Sequence, residues 1–181
     1  MTGRKLMVLF PGRNYSCDKP LLYYAGRVFK KRGYEILPIE YNTTLTGDKD
    51  DIPRLIEESY AYAEKILDTV DFSAYDDVVF VSKSIGTAVA GRASKKYEAR
   101  IRHIYLTPVA ESLIYMERGT CIVVAGKEDK LLPGHRLKIF CAKEDIALKQ
   151  FEEVGHSLEH YEDMSKTFAI LMVIIRLYKE F

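Results

Sequence analysis

Short apolar runs, many of them β-branched, alternate along the chain with longer stretches whose apolar residues recur every three or four positions. The first pattern predicts strands buried on both faces of a parallel sheet, the second amphipathic helices packed over it. Lys5–Phe10 (KLMVLF) is the first such run, and Pro11–Tyr15 supplies turn residues after it. From Pro20, a favoured first-turn residue, Leu21, Leu22, Ala25, Val28 and Phe29 share one helical face, and Gly33 stops the helix. Tyr34–Tyr41 (YEILPIEY) reads as a second strand, with Pro38 suiting a sheet edge. Asn42–Asp51 is polar and predicts a surface loop. Ile52–Val70 then carries a stripe of Leu55, Ile56, Ala63, Ile66, Leu67 and Val70, which predicts a long helix.

Val78–Val81 is the third predicted strand, followed by the tight turn Ser82–Gly86 and a helix of small residues, Ala88, Val89, Ala90 and Gly91. Ile101–Leu106 and Cys121–Ala125 are strands four and five, joined through Thr107-Pro108 and a weak helical stretch, Val109–Met116. A loop over Gly126–Pro133, a helix from Gly134 to about Cys141 and a sixth strand at Ala147–Phe151 follow. Gly155–Leu158 is a loop, and Glu159 to about Tyr178 closes the chain as a helix. Strands alternating with helices predict one α/β domain over residues 1–181. It is a three-layer, doubly wound, mostly parallel six-stranded sheet with helices on both faces. Right-handed crossovers give the strand order 2-1-3-4-5-6. In such sheets ligands sit at the C-terminal strand ends where the winding reverses, here between the loop after strand 1 and the turn after strand 3.

That second turn carries the candidate chemistry. Ser82-Lys83-Ser84-Ile85-Gly86 must turn a strand into a helix within very few residues, which is the form of a nucleophile elbow. Such a turn lifts the Ser84 hydroxyl above the sheet edge and leaves the Ile85 N–H at the positive end of a helix, able to hold an oxyanion. The elbow usually begins with glycine; here Ser82, also small, stands in that place. A serine hydroxyl needs a base and an acid to orient it. Asp129 follows strand 5 and His156 follows strand 6, so the chain order is Ser84, Asp129, His156. Glu128 is the neighbouring alternative acid and His160 the alternative base. His103 and His135 are read as structural or surface residues.

Three segments carry a specific resemblance: Ser82–Gly86, Ala125–Asp129 ahead of Pro133, and Gly155-His156-Ser157 before the last helix. On these the chain resembles a small, lidless member of the alpha/beta-hydrolase superfamily, and the likeness spans nearly the whole sequence. It departs from that family at Ser82 and in lacking an initial antiparallel hairpin. The resemblance implies a minimal alpha/beta-hydrolase fold with Ser84 as nucleophile, Asp129 as orienting acid and His156 as general base. The implied oxyanion hole is the Ile85 N–H plus a main-chain N–H after strand 1, that of Arg13 or, as the alternative, Asn14. The implied reaction is cleavage of a carboxylic ester or thioester through an acyl-enzyme. Relatives often insert a cap domain after strand 4, and Thr107–Gly119 is too short for one. An open site and small or carrier-bound acyl substrates are therefore expected. Lys83 and Arg13 are candidates to attract an acidic or phosphorylated acyl group, with Asn14 and Tyr15 beside them. Tyr23, Tyr24 and Tyr41 are further candidates to wall the acyl pocket.

Composition narrows the partners. Net charge is +1, from 27 Lys and Arg against 26 Asp and Glu, so no global basic field exists to hold nucleic acid. The longest apolar run, Phe168–Ile175, is far short of a bilayer span. Three cysteines without CxxC spacing suggest a reduced, cytoplasmic protein, and no metal site or cofactor is expected. Two readings compete with the hydrolase. One is a non-catalytic hydrolase-like regulatory or binding protein, suggested by Ser82. The other is a flavodoxin-like nucleotide or phosphate binder, which shares the strand order but would have neither a P-loop nor a GxGxxG.

Overall fold

In a computed structural model the chain is described over residues 3–41, 51–97 and 99–181. Six strands are β1 (Lys5–Phe10), β2 (Glu35–Pro38), β3 (Asp77–Lys83), β4 (Ile101–Leu106), β5 (Cys121–Gly126) and β6 (Ala147–Phe151). Five α-helices are α1 (Pro20–Lys31), α2 (Ile52–Leu67), α3 (Ile85–Lys96), α4 (Gly134–Lys143) and α5 (Met164–Glu180). The sheet is parallel throughout, in the order β2-β1-β3-β4-β5-β6. Phe10 pairs with Ser82, and Lys83 with Leu106, so β1, β3 and β4 end level and their loops leave from one edge.

Strand alternation sorts the apolar residues into two layers. Met7, Leu9, Val79, Val81, Ile104, Leu106 and Val124 meet α1 and α5 through Leu22, Phe29, Ile170 and Ile174. Leu6, Val8, Phe10, Val78 and Phe80 face α2 and α3, with Leu55, Ala63, Ala88 and Val89 opposite them. Val123 and Ala125 continue that second layer against Leu137 and Cys141 of α4. Each large side chain buried in these layers contributes about 1.5–3 kcal/mol. The small residues predicted for α3 have a clear reason: its Ala88, Val89, Ala90 and Ala93 are buried, so the helix lies between sheet and α2 with little room for side chains.

Several predicted boundaries move. The second strand is shorter than Tyr34–Tyr41, because Tyr34 instead packs edge-on against Phe29. It does lie at the sheet edge, as Pro38 suggests. The long helix stops at Leu67 rather than Val70, as the N–H groups of Thr69 and Val70 fold back on Ile66 and Leu67. The stretch expected to be helical between β4 and β5 is a 3-10 helix, Ala110–Tyr115. The last helix begins at Met164, five residues late. Asp163 caps it by accepting from the N–H groups of Ser165 and Lys166. His160 Nδ1 accepts from the Glu162 and Asp163 N–H groups, which folds the preceding residues into a turn. The predicted loop at Asn42–Asp51 lies outside the described residues except for Asp51, which caps α2 by accepting from the Arg54 N–H.

No helix of the described residues is long and apolar enough to cross a membrane. Cys17, Cys121 and Cys141 are free and buried.

His103, in the middle of β4, stacks on Tyr105 at 4.8 Å and meets Phe80 edge-on at 5.5 Å. Its Nδ1 is buried without a hydrogen-bond partner. Burial, with a smaller push from Lys95, lowers its pKa from 6.5 to about 3. The unfolded chain therefore binds a proton below pH 6.5 that the folded chain refuses until about pH 3. Stability contributed by this residue is present above pH 6.5 and is lost as pH falls towards 3. His103→Phe, which keeps a ring in the stack, is expected to flatten the fall in urea midpoint over that range. An unchanged slope in the variant would count against this assignment.

Candidate active site

The elbow is a short, strained connection. Ser84 has φ 55° and ψ −126°, a conformation rarely adopted by a residue with a side chain. Its N–H still donates to the Leu106 carbonyl at 3.0 Å, as if the β3 ladder continued. Its carbonyl already receives both the Thr87 N–H at 2.9 Å and the Thr87 hydroxyl at 2.6 Å, as if α3 had begun. Gly86 is required by a close approach. A Cβ there would stand 2.4 Å from the Pro11 carbonyl oxygen and 2.6 Å from that of Phe10. The demand for glycine at this position thus comes from the end of β1.

Ser84 occupies the N-cap position of α3, where a serine hydroxyl ordinarily binds the first N–H groups of the helix. It makes no such bond. Its Oγ stands 2.8 Å from His156 Nε2 instead. His156 Nδ1 lies 2.7 Å from Asp129 Oδ2. A carboxylate only accepts, so Nδ1 carries the proton, which leaves Nε2 as the acceptor for the Ser84 hydroxyl. Asp129 is held in turn. Its Oδ1 accepts from the Leu131 and Leu132 N–H groups at 2.9 and 3.4 Å, and the residue is buried. Ser84, Asp129 and His156 are thus brought into contact from the C-terminal ends of three different strands.

The alternatives fall elsewhere. Glu128 is exposed and contributes its N–H to the Val154 carbonyl. The His160 ring faces Glu153 and Lys166 at the entrance to α5. His135 is exposed on α4.

The loop after β1 lies directly on the elbow. A Cβ on Gly12 would be 3.0 Å from the Ser84 Cβ and 3.2 Å from the Lys83 carbonyl. Gly12 and Tyr15 exchange main-chain hydrogen bonds, so Arg13 and Asn14 form the tip between them, with Asn14 exposed at φ 55°. Arg13 is therefore next in the chain to Gly12, the residue that packs on the elbow. The Ile85 N–H, first in α3, has no acceptor within its own helix. One terminal nitrogen of Arg13 is buried and has no hydrogen-bond partner.

Lys83 does not present its charge to the crevice. Its side chain is buried, and the ammonium donates to Thr107 Oγ1 at 2.5 Å and to the His156 carbonyl at 2.8 Å. Tyr15 covers it, with the ring centroid 5.3 Å away, while the Tyr15 hydroxyl accepts from the Leu21 N–H. Of the other tyrosines proposed for a pocket wall, Tyr41 is fully buried and its hydroxyl donates to the Pro11 carbonyl. Tyr23 and Tyr24 are exposed and packed edge-on against one another. Thr87 and Thr107 are the participants that pattern reading missed. In sequence, Thr87 falls between the elbow and the run of small helix residues, and Thr107 opens the connection after strand 4. No group of three or more His, Cys, Asp or Glu side chains among the described residues is placed to hold a metal ion.

No family model matches the chain, and no curated protein matches it in sequence. Its fold does have counterparts. A lidless alpha/beta serine hydrolase from Xanthomonas campestris superposes with a TM-score of 0.63 at 16% identity, over 96% of this chain and 81% of that one. An alpha-beta serine hydrolase homologue from Coxiella burnetii gives 0.64 at 11% identity, over 96% and 84%. The protein Est1E from Butyrivibrio proteoclasticus, with ferulic acid bound, gives 0.68 at 12% identity, over 98% and 88%. With the strand order above, these likenesses define the chain's architecture as the alpha/beta-hydrolase fold.

Ser82 sits where such elbows usually carry glycine. Its side chain is fully buried and its Oγ has no hydrogen-bond partner. The site thus accommodates a Cβ, and the hydroxyl is the unfavourable part. Ser82→Ala is expected to raise unfolding stability by about 1 kcal/mol in urea titration. A loss of stability instead would mean that the hydroxyl is satisfied in solution.

Proposed function

We propose that this chain is a serine hydrolase that cleaves a small carboxylic ester or thioester through an acyl-enzyme on Ser84. The observation that carries the reading is the continuous pair of contacts from Asp129 through His156 to Ser84, at 2.7 and 2.8 Å. Ser84 Oγ attacks the acyl carbon while His156 Nε2 takes its proton. Asp129 holds the imidazole in the tautomer that accepts at Nε2 and stabilises the imidazolium that forms. The oxyanion is held by the Ile85 N–H and by the N–H of Arg13. His156 then passes the proton to the leaving alcohol or thiol, and water attacks the acyl-enzyme with the same ring as base.

Only residues 107–120 separate β4 from β5, which supports a site without a cap and substrates that are small or delivered on a carrier. The bound ferulic acid of the Butyrivibrio protein is a carboxylic acid, in keeping with acyl chemistry on this fold. A non-catalytic role drew its support from Ser82, but the buried Ser82 side chain leaves the nucleophile–base contact intact. With Lys83 engaged elsewhere, Arg13 is the candidate that remains to attract an acidic acyl group.

A fluorophosphonate probe is expected to attach at Ser84 in the wild type and not in His156→Ala. Hydrolysis of p-nitrophenyl acetate should fall by up to roughly 10⁶ in Ser84→Ala or His156→Ala. Ser84→Ala activity within tenfold of wild type would eliminate the mechanism. Arg13→Gln should lower kcat/KM about tenfold for a p-nitrophenyl ester bearing a terminal carboxylate, relative to the acetate ester. Equal effects on both esters would remove Arg13 as an anion-recognising residue.

A further inference from the structure

Lys83 is the elbow residue to which the proposed reaction assigns no task. It follows Val79 and Val81 on the strand face turned towards α1 and α5, where an apolar side chain would pack without cost. The chain instead buries an ammonium there, with no salt bridge to it among the described residues. Its two hydrogen bonds go to Thr107 Oγ1 and to the main-chain carbonyl of His156, and the Tyr15 ring closes the remaining side.

Two further features converge on this contact. Thr107 is β-branched yet has φ 42°, an outlier that persists only where its surroundings enforce it. In that conformation its Oγ1 meets the Lys83 ammonium, and its own N–H is tied to the Val124 carbonyl at 2.7 Å. His156 lies in the connection between β6 and α5, where Val154 and Leu158 anchor the chain in the core on either side of it and the Val154 carbonyl accepts from the Glu128 N–H. The Lys83 bond at 2.8 Å joins the His156 main chain to the elbow itself.

We propose that Lys83, braced by Thr107, is a positioning residue that sets the His156 ring against Ser84. The residue before the nucleophile thereby also places the base. The proposal rests on the reading of Ser84 and His156 as nucleophile and base. It has two separable parts. The hydrogen bonds fix the His156 segment, and a neutral amine retains enough hydrogens for both of them. The charge lies within hydrogen-bond distance of the His156 main chain. Charged and titratable groups facing Lys83 are Asp129, Glu159 and His156, with Tyr15 against its side. Burial lowers the Lys83 pKa to about 7, with Asp129 and Glu159 opposing that shift. Below about pH 7 the ammonium is therefore charged, one hydrogen bond away from the His156 main chain.

Two variants separate these parts. Lys83→Met keeps the length and packing but removes both bonds and the charge. Thr107→Val keeps the shape and leaves the ammonium. Each is expected to label with fluorophosphonate roughly 10- to 100-fold more slowly than wild type. Each should also show faster hydrogen exchange over Gly155–Leu158, with cooperative thermal unfolding retained. The acid limb of the labelling rate against pH should move to higher pH in Lys83→Met and stay in place in Thr107→Val. Should Lys83→Met fail to fold, Thr107→Val decides by exchange and labelling rate. Labelling within twofold of wild type and unchanged exchange in both variants would overturn the proposal. So would a loss of labelling that only tracks lost folding, with the acid limb unmoved. Wild-type protein that does not label at all would remove the hydrolase reading and this proposal together, which distinguishes that failure from the others.

Discussion

The structure depends on the close packing of one helix start against one strand end. The first turn of α3 sits so near the last carbonyls of β1 that only a glycine fits at residue 86. That contact fixes where the elbow turns, and the turn forces Ser84 into φ 55°. Strain of this kind costs on the order of 1–3 kcal/mol. It is offset by the ladder bond from the Ser84 N–H and the two bonds to its carbonyl, which belong to the sheet and the helix respectively. The hydroxyl that would cap the helix is left facing a histidine.

Around that point the sheet acts as a ruler. Because β1, β3 and β4 end level, the Gly12 loop, the elbow and Thr107 emerge side by side. Asp129 and His156 come from loops after β5 and β6, one and two strands further on. Asp129 needs no neighbour beyond its own turn, since two N–H groups of that turn hold one of its oxygens. His156 has no comparable local support. Its ring is held by Asp129 and its main chain accepts a bond from Lys83, so this side chain is placed by the residues it touches.

The buried polar groups divide accordingly. Lys83 and Thr87 are fully engaged at the elbow. Ser82, Tyr105 and His103 carry buried polar atoms without partners further back in the sheet. The first group holds geometry and the second tolerates a cost, as does the buried, unpartnered terminal nitrogen of Arg13 beside the elbow.

Much of this was legible in the order of residues. Apolar runs alternating with helical stripes determine a doubly wound sheet, because strands buried on both faces and helices with one apolar side admit few other arrangements. The chain order Ser84, Asp129, His156 follows strands 3, 5 and 6, so topology alone places all three residues at one edge. What remained open were choices between near neighbours and the directions of side chains. Glu128 and Asp129 differ by one position, but only the turn made by Leu131 and Leu132 buries the second of them. His160 lies four residues from His156, yet the cap at Asp163 delays α5 and turns that ring towards Glu153 and Lys166. Lys83 reads as a charge bound for solvent or substrate; the pleat of β3 turns it inward, beneath a loop that begins more than sixty residues later. Local pattern determines which residues stand near the crevice, while long-range packing decides which way each of them faces.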